Sequence, residues 1–167
     1  MPTDKGTYHS YLALYEPLFD GFRRSATEVL EIGIDDGSSI NIWVNWFPAA
    51  TITGVDINKT ASDSPRVRCI HGSVCDPNIV SQLADRQYDL IIDDGSHVLM
   101  EQMAALKYLA PLLKPNALYI IEDIQGWNPQ IAELFRLAAS FCSLNLIILD
   151  RRGIKGTPDD ILLVFQR

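Results

Sequence analysis

The sequence has little cysteine and no spacing that would pair it. Its three cysteines, Cys69, Cys75 and Cys142, are odd in number and form no C-x-x-C motif. This pattern favours free thiols in a reducing compartment over a disulfide framework or a zinc site. The N-terminus lacks the apolar stretch of a signal peptide, and no apolar run approaches the roughly 20 residues of a transmembrane helix. We therefore predict a cytoplasmic protein.

Basic residues are too few and too dispersed to form a surface for polyanions. The chain of 167 residues has 14 Lys and Arg against 21 Asp and Glu, a formal net charge of −7. Its densest basic stretch, Arg151-Arg152 with Lys155, is short, and we interpret it as a solvated hairpin. These counts predict no nucleic-acid partner and no anionic-membrane partner.

Internal repeats and linkers are also absent, and what the chain has instead is an alternation of apolar runs with segments of helical period. This alternation predicts βαβ units and a mostly parallel sheet in a single α/β domain, residues 1–167, with residues 1–22 as an N-terminal segment and helix and 27–167 as the core. About ten residues separate the last two strands, so they should form a hairpin that makes the last strand antiparallel. The predicted strands are Thr27–Gly33, Thr51–Ile57, Val67–Gly72, Tyr88–Asp93, Ala117–Glu122, Leu144–Asp150 and Ile161–Gln166, and the predicted helices are His9–Phe22, Ser38–Phe47, Asn78–Asp85, His97–Leu113 and Pro129–Phe141.

Acidic residues directly follow two of the predicted strands. Asp93-Asp94-Gly95-Ser96-His97 comes after one apolar run, and Glu122-Asp123 comes after the next. Ligands of open α/β sheets bind at the carboxyl ends of the strands, where these side chains would meet. So many carboxylates need a cation, a protonated member or a cationic ligand to coexist, and hard oxygen ligands suit Mg²⁺. A plain Asp-Gly turn with Ser96 as helix cap is the alternative for the first motif, but it leaves the second acid pair unexplained.

A glycine-containing turn follows the first predicted strand. Gly33 and Gly37 are spaced Gly-x-x-x-Gly, unlike the Gly-x-Gly-x-x-Gly of dinucleotide binders. Asp35 and Asp36 inside the turn would repel a pyrophosphate, which favours a ligand without phosphates. Asp56, at the end of the second strand, can accept the hydroxyl hydrogens of an adenosine ribose. A simple strand-to-helix turn and a loop-capping acid remain the alternatives for these two features.

These motifs together resemble a known enzyme family. Glu31-x-Gly33-x-x-x-Gly37, Asp56, Gly72-Ser73 and seven strands with a terminal hairpin look like a class I S-adenosylmethionine-dependent methyltransferase. The narrower resemblance is to the macrocin and rhamnosyl O-methyltransferases of antibiotic biosynthesis. It rests on Asp4-Lys5-Gly6-Thr7…His9-x-Tyr11, on the Asp-Asp-Gly-Ser-His motif and on Glu122-Asp123-Ile124.

The resemblance implies a three-layer Rossmann-like methyltransferase fold, S-adenosylmethionine and Mg²⁺ as cofactors, and a hydroxylated small molecule, such as a sugar, as acceptor. His97 would be the general base, and the metal ligands would be Asp94, Glu122 and Asp123. The N-terminal segment would fold over the donor. The residues expected to bind the donor are Lys5, Glu31, Gly33, Gly37, Ser38, Asp56, Ser73 and Asp93.

The sequence departs from the family pattern at two places and leaves alternatives open. Ser73 stands where many methyltransferases carry an acid, and Lys114-Pro115-Asn116-Ala117 stands where Lys-Pro-Gly-Gly is common. Trp127 is either an acceptor wall or a packing residue. A non-enzymatic module that binds S-adenosylmethionine is the alternative function, whereas the turn spacing disfavours a nicotinamide oxidoreductase. A homo-oligomer whose second subunit supplies an acceptor cap also stays open.

Overall fold

A seven-stranded sheet forms the centre of the computed structural model, which describes residues 11–58, 63–126, 128–141 and 145–167. The roles predicted for Lys5 and Trp127 concern residues outside the described ones. The strands, in chain order, are β1 Glu28–Ile32, β2 Thr51–Asp56, β3 Val67–His71, β4 Tyr88–Asp93, β5 Leu113–Ile121, β6 Leu146–Asp150 and β7 Ile161–Gln166.

The strand order is β3-β2-β1-β4-β5-β7-β6. Strands β1 to β5 pair in parallel, whereas β7 is antiparallel to both β5 and β6. The prediction of a mostly parallel sheet with an antiparallel last strand is therefore confirmed. The order reverses at β1 and β4, and such a switch point opens a crevice at the carboxyl ends of the strands.

The helices differ from the predictions mainly at their ends. They are α1 Leu12–Phe19, α2 Ser38–Trp46, α3 Pro77–Leu83, α4 Leu99–Leu109, α5 Ile131–Phe141 and α6 Arg152–Lys155, with a short 3-10 helix at Ala110–Leu112. Helix α4 begins at Leu99 rather than at His97, because His97 has a φ of 56°, which a right-handed helix cannot include. Helix α6, within the terminal hairpin, was not predicted.

Strand β5 begins four residues earlier than predicted. It starts at Leu113 and includes Lys114-Pro115-Asn116, where Asn116 has a φ of 64°. Asparagine tolerates this left-handed conformation better than most residues with a Cβ atom. Asn116 thus adopts a glycine-like backbone at the point where the resembling family commonly has glycine.

Two hydrophobic clusters cover the two faces of the sheet and give the fold its three layers. One cluster contains side chains from α3, α4 and α5, and the other contains Tyr11 with side chains from α1 and α2. Trp43 is fully buried in the second cluster, where its ring lies 5.9 Å from that of Tyr15 and 6.2 Å from that of Phe19. Helix α1 is therefore fixed by aromatic packing against α2. In the described part of the chain, the helices are too short or too polar to cross a bilayer.

Candidate active site

Backbone hydrogen bonds align the carboxyl ends of the central strands. The Gly33 N–H donates to the Val55 carbonyl, and the Asp94 N–H donates to the Ile32 carbonyl, each at 2.9 Å. The Glu122 N–H donates to the Asp93 carbonyl, also at 2.9 Å. The two acidic motifs and the glycine turn therefore lie together at the carboxyl ends of the strands, where a parallel sheet was expected to bring them.

A cleft of about 550 Å³ opens at this edge between the loops that follow β1, β2, β3 and β4. Its volume is in the range of small-molecule and cofactor sites. Five of the eight predicted donor-binding residues line it: Gly33, Ser38, Asp56, Ser73 and Asp93.

Glu31 and Gly37, two further predicted donor-binding residues, support the cleft without lining it. The Glu31 side chain is fully buried, and its Oε2 accepts a hydrogen bond from the Ser39 hydroxyl at 2.6 Å. Gly37 has a φ of 78° and directly precedes α2. In this structure these residues join the glycine turn to the first turn of α2.

Asp56 organises the glycine turn from the neighbouring strand. Its Oδ2 accepts hydrogen bonds from the Ile34 N–H at 2.9 Å and the Asp35 N–H at 3.1 Å, and its Oδ1 accepts from the Asn58 N–H at 2.7 Å. A carboxylate has about four lone-pair sites, so this one retains capacity for a ligand hydroxyl. Asp56 therefore lies in the cleft and holds the loop that forms one of its walls.

The cleft is strongly acidic. Among the described residues that line it, none is Lys or Arg, whereas six are carboxylic acids: Asp35, Asp36, Asp56, Asp93, Asp94 and Glu101. Such a lining opposes a pyrophosphate and suits a ligand that carries positive charge. This chemistry agrees with the inference drawn from the acids in the glycine turn.

Asp93 is the buried acid at the base of the cleft. Burial, together with the nearby charges of Asp94 and Glu101, raises the pKa of Asp93 to about 7, against the opposing effect of a hydrogen bond from the Gly95 N–H. The N–H of Gly95 lies 3.3 Å from Asp93 Oδ1. Asp93 thus shapes the loop that carries Asp94 and also faces the cleft.

Asp94, His97 and Asp123 form a group that could hold a metal ion, since one ligand atom from each lies within 4.8 Å of the others. His97 Nε2 is 4.0 Å from Asp94 Oδ1 and 3.9 Å from Asp123 Oδ2. Asp94 and His97 also line the cleft. The group and the cleft are therefore continuous through these two side chains.

Two members of this group have unusual backbone conformations. His97 has a φ of 56° and Asp123 a φ of 51°, both in the left-handed region. For a residue with a Cβ atom, this conformation costs about 1–2 kcal/mol. Strain of this kind concentrates at functional sites, where the surrounding structure maintains it.

Glu122, the third predicted metal ligand, lies outside this group in the described structure. Its side chain is buried, and its Oε1 accepts a hydrogen bond from the Tyr15 hydroxyl. Its backbone carbonyl accepts from Gln102 Nε2 at 3.1 Å. Glu122 is thus fixed between α1 and α4, next to Asp123 in the chain.

Helix α1 and the residue before it supply tyrosines that sequence reasoning did not assign to the site. The Tyr11 hydroxyl donates to Asp123 Oδ1, and the Tyr15 hydroxyl donates to Glu122 Oε1. Burial, followed by the neighbouring acids, raises the pKa of both phenols well above the ordinary value, so both act as donors. The available signal was their spacing of four residues, which places two hydroxyls on one helical face.

Curated relatives of this chain are sugar O-methyltransferases. The chain is 38% identical over 133 residues, or 74% of its length, to 8-demethyl-8-α-L-rhamnosyl tetracenomycin-C 2′-O-methyltransferase of Streptomyces olivaceus. It is 33% identical over 129 residues, or 71% of its length, to demethylmacrocin O-methyltransferase of Streptomyces fradiae. These matches span only 35% and 33% of the two relatives, so the chain corresponds to about a third of each. No protein-family model matches the chain.

Solved structures give the same fold. MycE methyltransferase from the mycinamycin biosynthetic pathway, in complex with Mg and SAH, matches in one crystal form with a TM-score of 0.70 and 26% identity, over 92% of this chain and 48% of that one. In another crystal form the TM-score is 0.76 at 24% identity, over 93% and 49% of the two chains. The predicted Rossmann-like methyltransferase fold is confirmed.

Proposed function

We propose, from the premise that this chain is homologous to part of the sugar O-methyltransferases, that it transfers a methyl group from S-adenosylmethionine to a hydroxyl of a glycosylated small molecule, assisted by Mg²⁺. One observation carries the proposal. The acidic cleft ends at Asp94 and His97, and these two residues join Asp123 in a group that could hold a cation.

The donor half of the proposal is supported by the charge and shape of the cleft. S-adenosylmethionine carries a sulfonium and an ammonium but no phosphate, and the described lining residues include six acids without Lys or Arg. Asp56 has acceptor capacity for a ribose hydroxyl beside the glycine turn. Ser73 and Cys75, at the far side of the cleft, would flank the adenine.

The metal half is supported by the donor atoms of the group. Carboxylate oxygens of Asp94 and Asp123 are the hard ligands that Mg²⁺ prefers. Bound there, Mg²⁺ would supply Lewis-acid stabilisation of the acceptor oxygen. Glu122 is the third ligand of this proposal, and the variant Glu122→Gln provides its test, since the amide keeps the size of the side chain but weakens metal affinity.

His97 would accept the proton of the acceptor hydroxyl. Its Nε2 lies about equally far from Asp94 Oδ1 and Asp123 Oδ2, at 4.0 and 3.9 Å, so both acids stabilise the imidazolium that forms. The acceptor oxygen then forms a bond to the methyl carbon as the carbon–sulfur bond breaks. S-adenosylhomocysteine leaves as a neutral thioether, and the proton remains on His97 until solvent removes it.

Isothermal titration and turnover assays test this proposal. S-adenosylmethionine should bind without metal, whereas methylation of a rhamnosyl or other glycosylated acceptor should require Mg²⁺ and stop in excess chelator. Full turnover in saturating chelator would refute the metal role. S-adenosylmethionine binding without transfer to any acceptor in a panel of glycosides and vicinal diols would instead support the binding-module alternative, and tighter binding of NADH would refute the donor assignment.

A further inference from the structure

We propose that Tyr11, Arg151 and Asp160 form a positioning chain that fixes the carboxylate of Asp123 for metal binding. The inference rests on the proposed function, because it concerns how one proposed metal ligand is oriented. The three residues come from the two ends of the described chain, and neither the glycine turn nor the acidic motifs contain them. The terminal hairpin would thus act on the site through a tyrosine next to α1.

The first contact in the positioning chain divides the two oxygens of Asp123 between different neighbours. Asp123 Oδ1 accepts the hydrogen bond of the buried Tyr11 hydroxyl, while Oδ2 lies 3.9 Å from His97 Nε2. A carboxylate held through one oxygen has a fixed plane and therefore a fixed direction for the other. Hydrogen bonds of this kind to a metal ligand commonly affect metal affinity about 10–100-fold.

The second contact holds the Tyr11 ring. The guanidinium carbon of Arg151 lies 5.5 Å from the centroid of that ring, in the range of a cation–π contact. The Arg151 side chain is only 12% exposed, which corrects the prediction that Arg151 belongs to a solvated hairpin. Arg152, the next residue, is the exposed member, paired with Asp150 at 2.6 Å.

The third contact fixes Arg151. Arg151 Nη1 lies 3.7 Å from Oδ1 of Asp160, whose side chain is fully buried. The backbone repeats the link, since the Arg151 N–H donates to the Asp160 carbonyl at 2.8 Å. A buried carboxylate requires a compensating charge, and Arg151 supplies it while covering the Tyr11 ring. Arg151 therefore lies between the Tyr11 ring and the Asp160 carboxylate, with which it makes an ion pair rather than a hydrogen bond.

The hairpin is also tied directly to the loop that carries Asp123. The Ile124 N–H donates to the Ile161 carbonyl at 3.0 Å. Ile124 directly follows Asp123 in the sequence, and Ile161 directly follows Asp160. The side-chain contacts and this backbone bond thus run in parallel between the same two segments. Such an arrangement favours a defined position for Asp123 despite its left-handed backbone.

Metal binding measured without the acceptor tests the positioning chain. Mn²⁺ is titrated by electron paramagnetic resonance, and Mg²⁺ by competition with it, into protein saturated with S-adenosylhomocysteine. Tyr11→Phe should weaken metal binding about 10-fold, and Arg151→Met, which keeps the aliphatic stem, should weaken it about 3- to 10-fold. Arg151→Lys, which keeps a cation over the ring, should recover part of the loss. Tyr88→Phe, which removes a buried hydroxyl bonded to the Leu83 carbonyl, is the matched control and should change nothing.

Affinity for S-adenosylhomocysteine without metal separates positioning from general damage to the fold. The inference requires this affinity to stay within about 2-fold in Tyr11→Phe and Arg151→Met while metal affinity falls. Unchanged metal affinity in both variants, or equal losses of metal and nucleoside binding, would overturn it. If the unmodified protein binds no divalent metal, the proposed function itself fails, and this result is distinct from a failure of the positioning chain.

Discussion

His97 Nε2 lies 3.9 Å from Asp123 Oδ2, and both residues have left-handed backbone conformations. They come from different loops, one after β4 and one after β5, so two separate departures from relaxed backbone geometry meet at one point. The strain is better explained by the direction it gives the imidazole and the carboxylate.

Replacing His97 with glutamine should abolish turnover while preserving the donor site. Glutamine retains a polar side chain of similar reach but cannot accept the acceptor's proton, so we expect kcat to fall by about 100-fold or more. The affinity for S-adenosylmethionine should change by less than about 3-fold, because the rest of the cleft is unaltered. Single-turnover methyl transfer and calorimetric titration provide the two measurements.

The matched control for His97→Gln is His71→Gln. His71 ends β3, and its Nε2 lies 2.9 Å from the Ile57 carbonyl, outside the metal-binding group. This variant should retain turnover. Equal losses in the two variants would show that the effect on His97 is not specific to proton transfer.

The thiol of Cys75 should report donor binding. Cys75 is exposed and lines the cleft beside Ser73. Burial and the nearby Asp63 raise the pKa of Cys69, so its thiolate is scarcer and Cys75 should alkylate faster. Saturating S-adenosylhomocysteine should slow iodoacetamide labelling of Cys75 several-fold and leave that of Cys69 unchanged, as measured by peptide mass spectrometry.

Labelling also provides a direct check on the position of the adenosine. Adenosine alone should protect Cys75, whereas methionine alone should not, because the thiol lies on the side of the cleft away from Asp93. A Cys75→Ser variant should still bind S-adenosylhomocysteine. Undiminished labelling of Cys75 at saturating ligand would contradict the assignment of this part of the cleft to the adenine.

Most of the fold could be predicted because the succession of strands and helices along the chain follows from a few local rules. Apolar runs such as Tyr88–Asp93 are long and bounded by turn residues, and the short link before Ile161 permits only a hairpin-like connection. The approximate position of the acids followed, since parallel strands place their carboxyl ends together. The ends of helices and strands are less predictable. The sequence predicts that α4 begins at His97, two residues before its observed start at Leu99, because nothing in the sequence marks the positive φ of His97.

Contacts between distant segments could not be predicted in the same way. The hydroxyls of Tyr11 and Tyr15 reach the acid pair only because α1 packs against one particular face of the sheet. The sequence predicts that Arg151 lies in a solvated hairpin, yet its guanidinium lies over the Tyr11 ring. Such assignments depend on packing that local sequence patterns do not contain.

Gly33 should not tolerate a side chain. Its φ is 79°, and a Cβ atom there would lie 2.0 Å from the backbone oxygen of Asp94. Gly33→Ala must therefore displace the loop that carries Asp94, so we expect a loss of at least about 2 kcal/mol in the free energy of unfolding together with weaker donor binding. Gly21→Ala is the control, because a Cβ atom there has no neighbour within 4 Å. Urea unfolding measures the stabilities of the two variants. Similar free energies of unfolding for Gly33→Ala and Gly21→Ala would contradict this prediction.

Asp89, near the amino end of β4, should stabilise the folded protein in a pH-dependent way. Burial alone would raise the pKa of Asp89, but hydrogen bonds from Lys114 and from the Thr27 and Glu28 N–H groups outweigh it and hold the pKa below its usual range. Lys114 Nζ lies 2.7 Å from Asp89 Oδ2. Because the folded-state pKa is lowered, this stabilisation is present above the unfolded-state value near 3.9 and is lost as the pH falls through the folded-state value.

Asp89→Asn should therefore destabilise the protein by about 2 kcal/mol at pH 7, since it removes hydrogen bonds to a charged group. The difference from the unmodified protein should shrink as the pH is lowered toward 3, because protonation removes the same charge in the unmodified protein. Urea unfolding at pH 7, 5, 4 and 3 measures this trend. Asp150→Asn, which breaks only the exposed pair with Arg152, should give no comparable loss at pH 7. A constant difference between Asp89→Asn and the unmodified protein across this pH range would rule out the charge of Asp89 as the source of its contribution.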